Sequence, residues 1–248
     1  MAKNEELGDF LRARRASIAP ETIGVFDEQK RRVPGLRREE LARLSGLSVD
    51  YYTRLEQGRP IEPSETVLDA LATALGLDPT ERSYLHTVAR RPATTGTRGR
   101  SPRSSQAVRP GLFALMEAFG DVPVYILGRQ TNVLASNNLA RLLLTDFNRM
   151  PARERNAIRW VVLDEAARSL FGDGWEQAVA ELTGALRMDA ARHPDDHKTA
   201  ELVGELSIKS ETFRKWWAMR KVVNLGKGSK VLQHPLVGEV TLRPCLMW

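Results

Sequence analysis

Leu36–Arg59, LRREELARLSGLSVDYYTRLEQGR, is the stretch whose reading decides the fold. Leu41 and Leu44 form an i, i+3 apolar pair on one side of Gly46, and Leu47, Tyr52 and Leu55 follow on the other, the last two on one helical face. This spacing predicts two short helices with a tight turn between them. Gly46 stands where the first helix must stop, because glycine takes up the left-handed backbone conformation without steric cost. Ser48 is then the N-cap of the second helix, its hydroxyl accepting from a backbone N–H that has no helical partner. Ala42 is small enough to let the two helices approach. A pair built this way is a helix-turn-helix, whose second helix can enter the major groove of a duplex.

With Tyr52 and Leu55 turned inward, the same periodicity turns Val49, Asp50, Thr53 and Arg54 outward, with Tyr51 at the margin. These five are the candidate base-reading residues. An arginine offers a bidentate contact to guanine, a valine packs on a thymine methyl, and an aspartate accepts from cytosine or orients the arginine. Arg37, Arg38, Ser48, Gln57 and Arg59 flank them as candidate phosphate contacts, which fix register without reading sequence. A plain helical hairpin buried in a core would explain the leucines. It would not explain an exposed valine at the start of a short helix, or arginines on both sides.

Before this stretch, Glu5 to Arg15 is a short amphipathic helix with Leu7, Phe10 and Leu11 on one face, and Arg12, Arg14 and Arg15 at its basic end suit the helix dipole. Ala16 to Gly35 lacks periodicity and carries Lys30-Arg31-Arg32, which reads equally as a solvated loop or as an arm on the DNA backbone. After the stretch, Pro63-Ser64 opens a helix to Leu75, and the capping box Asp78-Pro-Thr-Glu81 opens another to about Arg90. Residues 1–90 are therefore expected to form a five-helix bundle.

Residues 91–109 hold Pro, Gly, Ser, Thr and Arg with almost nothing to bury, and read as a flexible linker. Residues 110–248 begin with a helix, Pro110 to Phe119, followed by two short apolar runs, Pro123 to Leu127 and Asn132 to Ala135, that predict strands joined at Gly128-Arg129. Helices are expected from Asn137 to Leu144, Ala152 to Val162, Trp175 to Ala191, Asp195 to Leu206 and Glu211 to Arg220, and a last hairpin from Lys230 to Gln233 and Glu239 to Leu242. The expected class is mostly α: a helix-turn-helix bundle, then an α+β domain with a mostly antiparallel sheet and inserted helices.

At 248 residues the chain has room for two modest domains. Residues 1–109 hold nineteen basic against fifteen acidic residues, so four of the six net positive charges fall in the half that contains the reader, as attraction to phosphate requires. One cysteine, Cys245, excludes an internal disulfide and suits a reducing cytosol. The acidic N-terminus and the absence of any run of about 18 apolar residues argue against a signal peptide and a membrane span. The expected location is the cytoplasm.

Two motifs suggest chemistry and are better read as structure. In His193-Pro-Asp-Asp-His197 the proline breaks the helix that would align two histidines on a metal, so Asp195 or Asp196 is expected to cap the next helix. Gly226-Lys-Gly-Ser-Lys230 lacks the P-loop spacing and precedes a strand. No catalytic group, metal site or cofactor is expected. An apolar pocket is the remaining candidate, with Tyr125, Leu134, Asn137, Leu206, Phe213, Trp216 and Trp217 around it.

Pro34-Gly-Leu-Arg-Arg-Glu-Glu-Leu-Ala followed by Ser48-Val-Asp-Tyr-Tyr-Thr-Arg-Leu-Glu-Gln-Gly-Arg59 resembles the xenobiotic-response-element (XRE) class of repressors. More narrowly the chain resembles the MmyB-like regulators of actinobacteria, also through Leu134-Ala-x-Asn137, Glu201-Leu-Val-Gly-Glu-Leu-Ser207, Phe213-x-x-x-Trp217 and His234-Pro-x-Val-Gly238. The resemblance implies a PAS-like ligand-binding domain, a long-chain fatty-acid-like ligand, a double-stranded DNA operator and a homodimer. The chain departs from the family pattern at Ser136, where tryptophan is common, and at Met219-Arg220-Lys221-Val222, where Arg-His-Asp-Val is usual. It ends at Trp248, where relatives are expected to continue, which would leave a sheet edge for a partner subunit to cover. One alternative stays open, a second domain that serves protein interaction or dimerisation without a ligand.

Overall fold

The computed structural model describes residues 3–23, 35–90, 106–222, 225–226 and 228–245. Lys30-Arg31-Arg32, most of the expected linker and Trp248 lie outside the described residues. The chain forms two compact units, Met1–Arg98 with Met219–Val222, and Gly99–Ala218 with Val223–Trp248. No described helix is long and apolar enough to cross a membrane.

The described residues of the first unit hold five α-helices: α1 (Glu5–Ser17), α2 (Arg38–Leu44), α3 (Val49–Glu56), α4 (Glu65–Ala74) and α5 (Pro79–Ala89). Most start on a side chain that takes up an orphan N–H: Asn4 for α1, Ser48 for α3, Ser64 for α4, and Asp78 for α5, where Glu81 closes the capping box and Pro79 fills the first turn. Leu7, Phe10, Leu11, Leu41, Tyr52, Leu55, Leu68, Leu71, Tyr84, Leu85 and Val88 make the core, with Phe10 and Tyr84 edge to face. Leu44 departs from the expected apolar pair. It is the last residue of α2 and 42% exposed, because the chain turns away there through Ser45 and Gly46. α1 crosses the end of α3 so closely that a Cβ on Gly8 would come within 2.6 Å of the Glu56 carbonyl oxygen.

The second unit holds α6 (Pro110–Ala118), β1 (Tyr125–Leu127), β2 (Val133–Ser136), α7 (Asn138–Leu143), α8 (Ala157–Leu163), α9 (Glu165–Phe171), α10 (Trp175–Arg192), α11 (His197–Lys209), α12 (Glu211–Ala218), β3 (Lys230–His234) and β4 (Gly238–Leu242). The sequence reading lacks α9. Asp164, in an extended conformation, ends α8 and caps α9 through its side chain, so one residue both breaks and restarts the helix. The single antiparallel sheet expected from strands at both ends is replaced by two separate two-stranded antiparallel sheets, β1 with β2 and β3 with β4. β1 is only three residues long and its register slips at Ile126/Leu127, while β3, paired with β4, packs on α9.

Edge-to-face rings run through the core in the order Tyr125, Phe147, Trp160, Phe171, with centroids 5.7–6.2 Å apart. α10 is the central helix, buried at Ala178, Val179, Leu182 and Leu186, and Trp175 at its start donates Nε1–H to the Val161 carbonyl. Asp196 caps α11 as its place after Pro194 requires. In the turn between the first two strands, Gln130 and Thr131 both have positive φ, 56° and 61°. Such residues cost about 1–3 kcal/mol each unless their surroundings hold them. Here Asn156 donates to the Gln130 carbonyl, Asp189 accepts from the Gln130 N–H, and Thr131 Oγ1 accepts from Ile158 N–H.

Candidate nucleic-acid interface

The geometry of α3 begins with its two ends. Gly46, at φ +67°, makes the turn out of α2, and Ser48 Oγ accepts from the Tyr51 N–H at 3.2 Å to start the helix. Tyr52, Leu55 and Glu56 then face inward, each no more than 1% exposed. Val49, Asp50 and Arg54 are exposed, and Tyr51 and Thr53 are half-buried beside them. Asp50 and Arg54 lie one turn apart and are paired, Oδ2 accepting from Arg54 Nε at 2.8 Å and Nη2 at 2.7 Å. The pair fixes the direction of a side chain that would otherwise sample many rotamers.

The five phosphate candidates do not share one situation. Gln57 and Arg59 are exposed beyond the end of α3, with Arg59 Nε donating to Gln57 Oε1 at 3.1 Å. Ser48 is exposed, and its hydroxyl oxygen is the helix cap. Arg37, half-exposed, precedes α2, and its N–H donates to Glu40 Oε2 in that helix's capping box. Arg38 is turned to Glu56, with Nη2 2.9 Å from Oε1, so it ties α2 to α3 whatever else it does.

Glu56 is the residue that sequence reading missed. It is buried at the end of α3, and Arg15 of α1 grips both its carboxylate oxygens, at 2.7 and 2.9 Å, while Arg12 donates to its backbone carbonyl. Burial by itself pushes the carboxyl up, but the hydrogen bonds from Arg15 and Arg38 outweigh it and hold the group below the ordinary glutamate range. Burial and the neighbouring Glu56 charge push the Tyr52 hydroxyl far up, so both states at this node are fixed near neutral pH. The signal was present in the sequence as an acidic residue one turn after an inward tyrosine, opposite a helix with three arginines. Those arginines act across helices: Arg12 and Arg15 on Glu56, and Arg14 on Glu81 at 2.9 Å.

In the second unit the seven pocket candidates are spread through structural roles. The Tyr125 hydroxyl donates toward the Ala140 and Thr145 carbonyls, and burial raises its pKa. Asn137 caps α7 and also bonds to Val122 and Val124. Leu206 and Phe213 are fully buried, Leu134 and Trp216 half-buried. Trp217 stacks on Phe213 at 5.8 Å, with the Arg187 guanidinium 4.2 Å over its ring. An open groove of about 730 Å³ lies elsewhere, lined by Met150, Arg153, Trp160, Leu163 and the ion-paired Arg159, Glu205 and Lys209. Among the described residues no group of three or more His, Cys, Asp or Glu side chains is placed to hold a metal ion.

A family model for a helix-turn-helix domain matches residues 6–85, and one for the MmyB-like transcription regulator ligand binding domain matches residues 108–245. No curated protein matches the chain.

Proposed function

This chain belongs to the MmyB-like transcription regulators, and from that premise we propose that it is a sequence-specific regulator whose α3 reads an operator in the major groove. The chain is a DNA-binding transcription regulator with a ligand-binding domain, and both families are those of regulators rather than enzymes. In this proposal residues 1–90 bind DNA, residues 91–109 are a linker, and residues 110–248 are a PAS-type domain that takes an apolar, fatty-acid-like molecule. It acts without catalysis or a cofactor, in the cytoplasm, as a homodimer. Two readers on a two-fold axis meet half-sites about one helical turn, roughly 34 Å, apart.

The observation that carries this reading is the outer face of α3, where Val49, Asp50 and Arg54 are exposed on a helix capped at its start and anchored at its end by Glu56. Base-reading residues must be bare and held in one orientation, and this face is both. Selection of bound duplexes from a random pool tests it. In the selected site, Arg54→Ala should lose about 1–3 kcal/mol of discrimination at one base pair, whereas Arg59→Ala should weaken all duplexes alike and lower the salt slope by about one. Equal losses across all duplexes for Arg54→Ala would overturn the base-reading role.

A second reading, an interaction or dimerisation module without ligand, is favoured by one observation: Leu206, Phe213 and Trp217 fill the core of the second unit. Native mass spectrometry of the freshly purified chain separates the two. A co-purifying mass of a few hundred daltons supports the sensor, and repeated ligand-free spectra support the module.

A further inference from the structure

Residues 219–222 follow α12 directly in the chain, yet they belong to the first unit. Arg220 is one of three described non-glycine residues with positive φ, at 54°, a state that persists where contacts hold it. Its guanidinium donates to Glu6 at 2.5 Å and to Asp9 at 2.8 Å, both on α1. Two residues on, Val222 is 2% exposed. Glu6 also accepts from the Tyr84 hydroxyl of α5.

The ion pairs continue beyond this point. Asp9 pairs with Arg12 one turn further along α1, at 3.2 Å, and Arg12 donates to the Glu56 carbonyl at 3.2 Å. Glu56 is the last residue of the reading helix. A line of alternating charge, Arg220, Asp9, Arg12, Glu56, therefore runs along one face of α1 to the foot of α3. Glu6 and Asp9 lie one turn apart with like charge, so removal of Arg220 leaves them repelling each other and leaves Arg12 a freer partner. At its other end the segment begins two residues after Trp217, which is stacked on Phe213 and covered by Arg187.

We propose that residues 219–222 are a strap through which the ligand-binding half of the chain biases the DNA reader, with Arg220 on Glu6 and Asp9 as its buckle. Seated, the strap holds α1 and, through Arg12, the foot of α3. Withdrawn, it frees both. A change in the packing around Trp217 reaches the strap through the covalent chain alone. The proposal rests on reading α3 as the DNA reader.

Hydrogen exchange of the full chain tests the strap without any ligand or DNA. Arg220→Gln should speed exchange about threefold or more in residues 5–17 and 49–57, and leave residues 157–192 unchanged as an internal check of folding. Asp9→Asn should do much the same, and the double variant should add little to either, because both remove one link. If Arg220→Gln unfolds the chain, Arg220→Lys, which keeps the charge and loses the fork, should give a smaller effect of the same pattern. Unchanged exchange at 49–57, or fully additive effects, would overturn the relay. Affinity for the selected duplex should shift with the exchange; faster exchange with affinity unchanged within about twofold would overturn its regulatory role. A wild-type chain that selects no duplex would instead remove the DNA-reader reading and leave the exchange result standing.

Discussion

α3 and α12 are both eight-residue helices with strongly one-sided patterns, and they end in opposite situations. α3 buries Tyr52, Leu55 and Glu56 and keeps Val49, Asp50 and Arg54 in solvent. α12 spends its large residues on packing, with Phe213 fully buried and Trp217 stacked on it under Arg187. Polarity follows the same contrast. The first unit buries a carboxylate among arginines and leaves the outer face of α3 bare, while the second buries a ladder of aromatic rings and leaves ion pairs around an open groove. A bare charged face on an anchored helix has few structural uses, so it points to function. An aromatic cluster fits a packed core and a binding cavity equally well, because both need the same residue types.

Three substitutions test this contrast. The largest effect is expected from Trp160→Ala, which removes the middle of the ring ladder at a residue only 6% exposed. It should cost about 3–5 kcal/mol in denaturant unfolding. A loss under about 1 kcal/mol would mean that the rings surround space rather than fill it.

Glu56→Gln comes next. It strips Arg15 and Arg38 of their shared carboxylate and should cost about 3 kcal/mol. Because the folded carboxyl titrates below its unfolded value, its contribution is present above the unfolded pKa and fades as acid protonates it in the fold. Wild-type stability should therefore fall below about pH 4.3, and the variant should show a flatter acid limb. Equal acid limbs would show that the arginines can be accommodated without the carboxylate.

The smallest effect belongs to Ser48→Ala. Loss of the cap on the Tyr51 N–H should cost about 1 kcal/mol and show first as fraying of the start of α3. Binding to the selected duplex should weaken with it, since Val49 and Asp50 sit in that first turn. Normal binding with reduced stability would separate the cap from the reading face.

The chain by itself determined the first unit almost completely. Five helices, their serine and aspartate caps, the Gly46 turn and the inward leucines are all local patterns, and local patterns set backbone choice before any distant contact forms. It also located the strands and most helices of the second unit. Tertiary structure alone decided the rest. Glu56 is marked in the sequence only by its place one turn after Tyr52, and its burial is decided when α1 brings Arg12 and Arg15 to it; Asp164 looks like a loop residue until it is seen to divide two helices. The β3–β4 hairpin lies on α9 instead of joining β1 and β2 in one sheet, and Arg220 reaches across more than two hundred residues of chain to Glu6 and Asp9. Burial and charge pairing depend on which parts of the chain meet, and no window along the sequence contains that information.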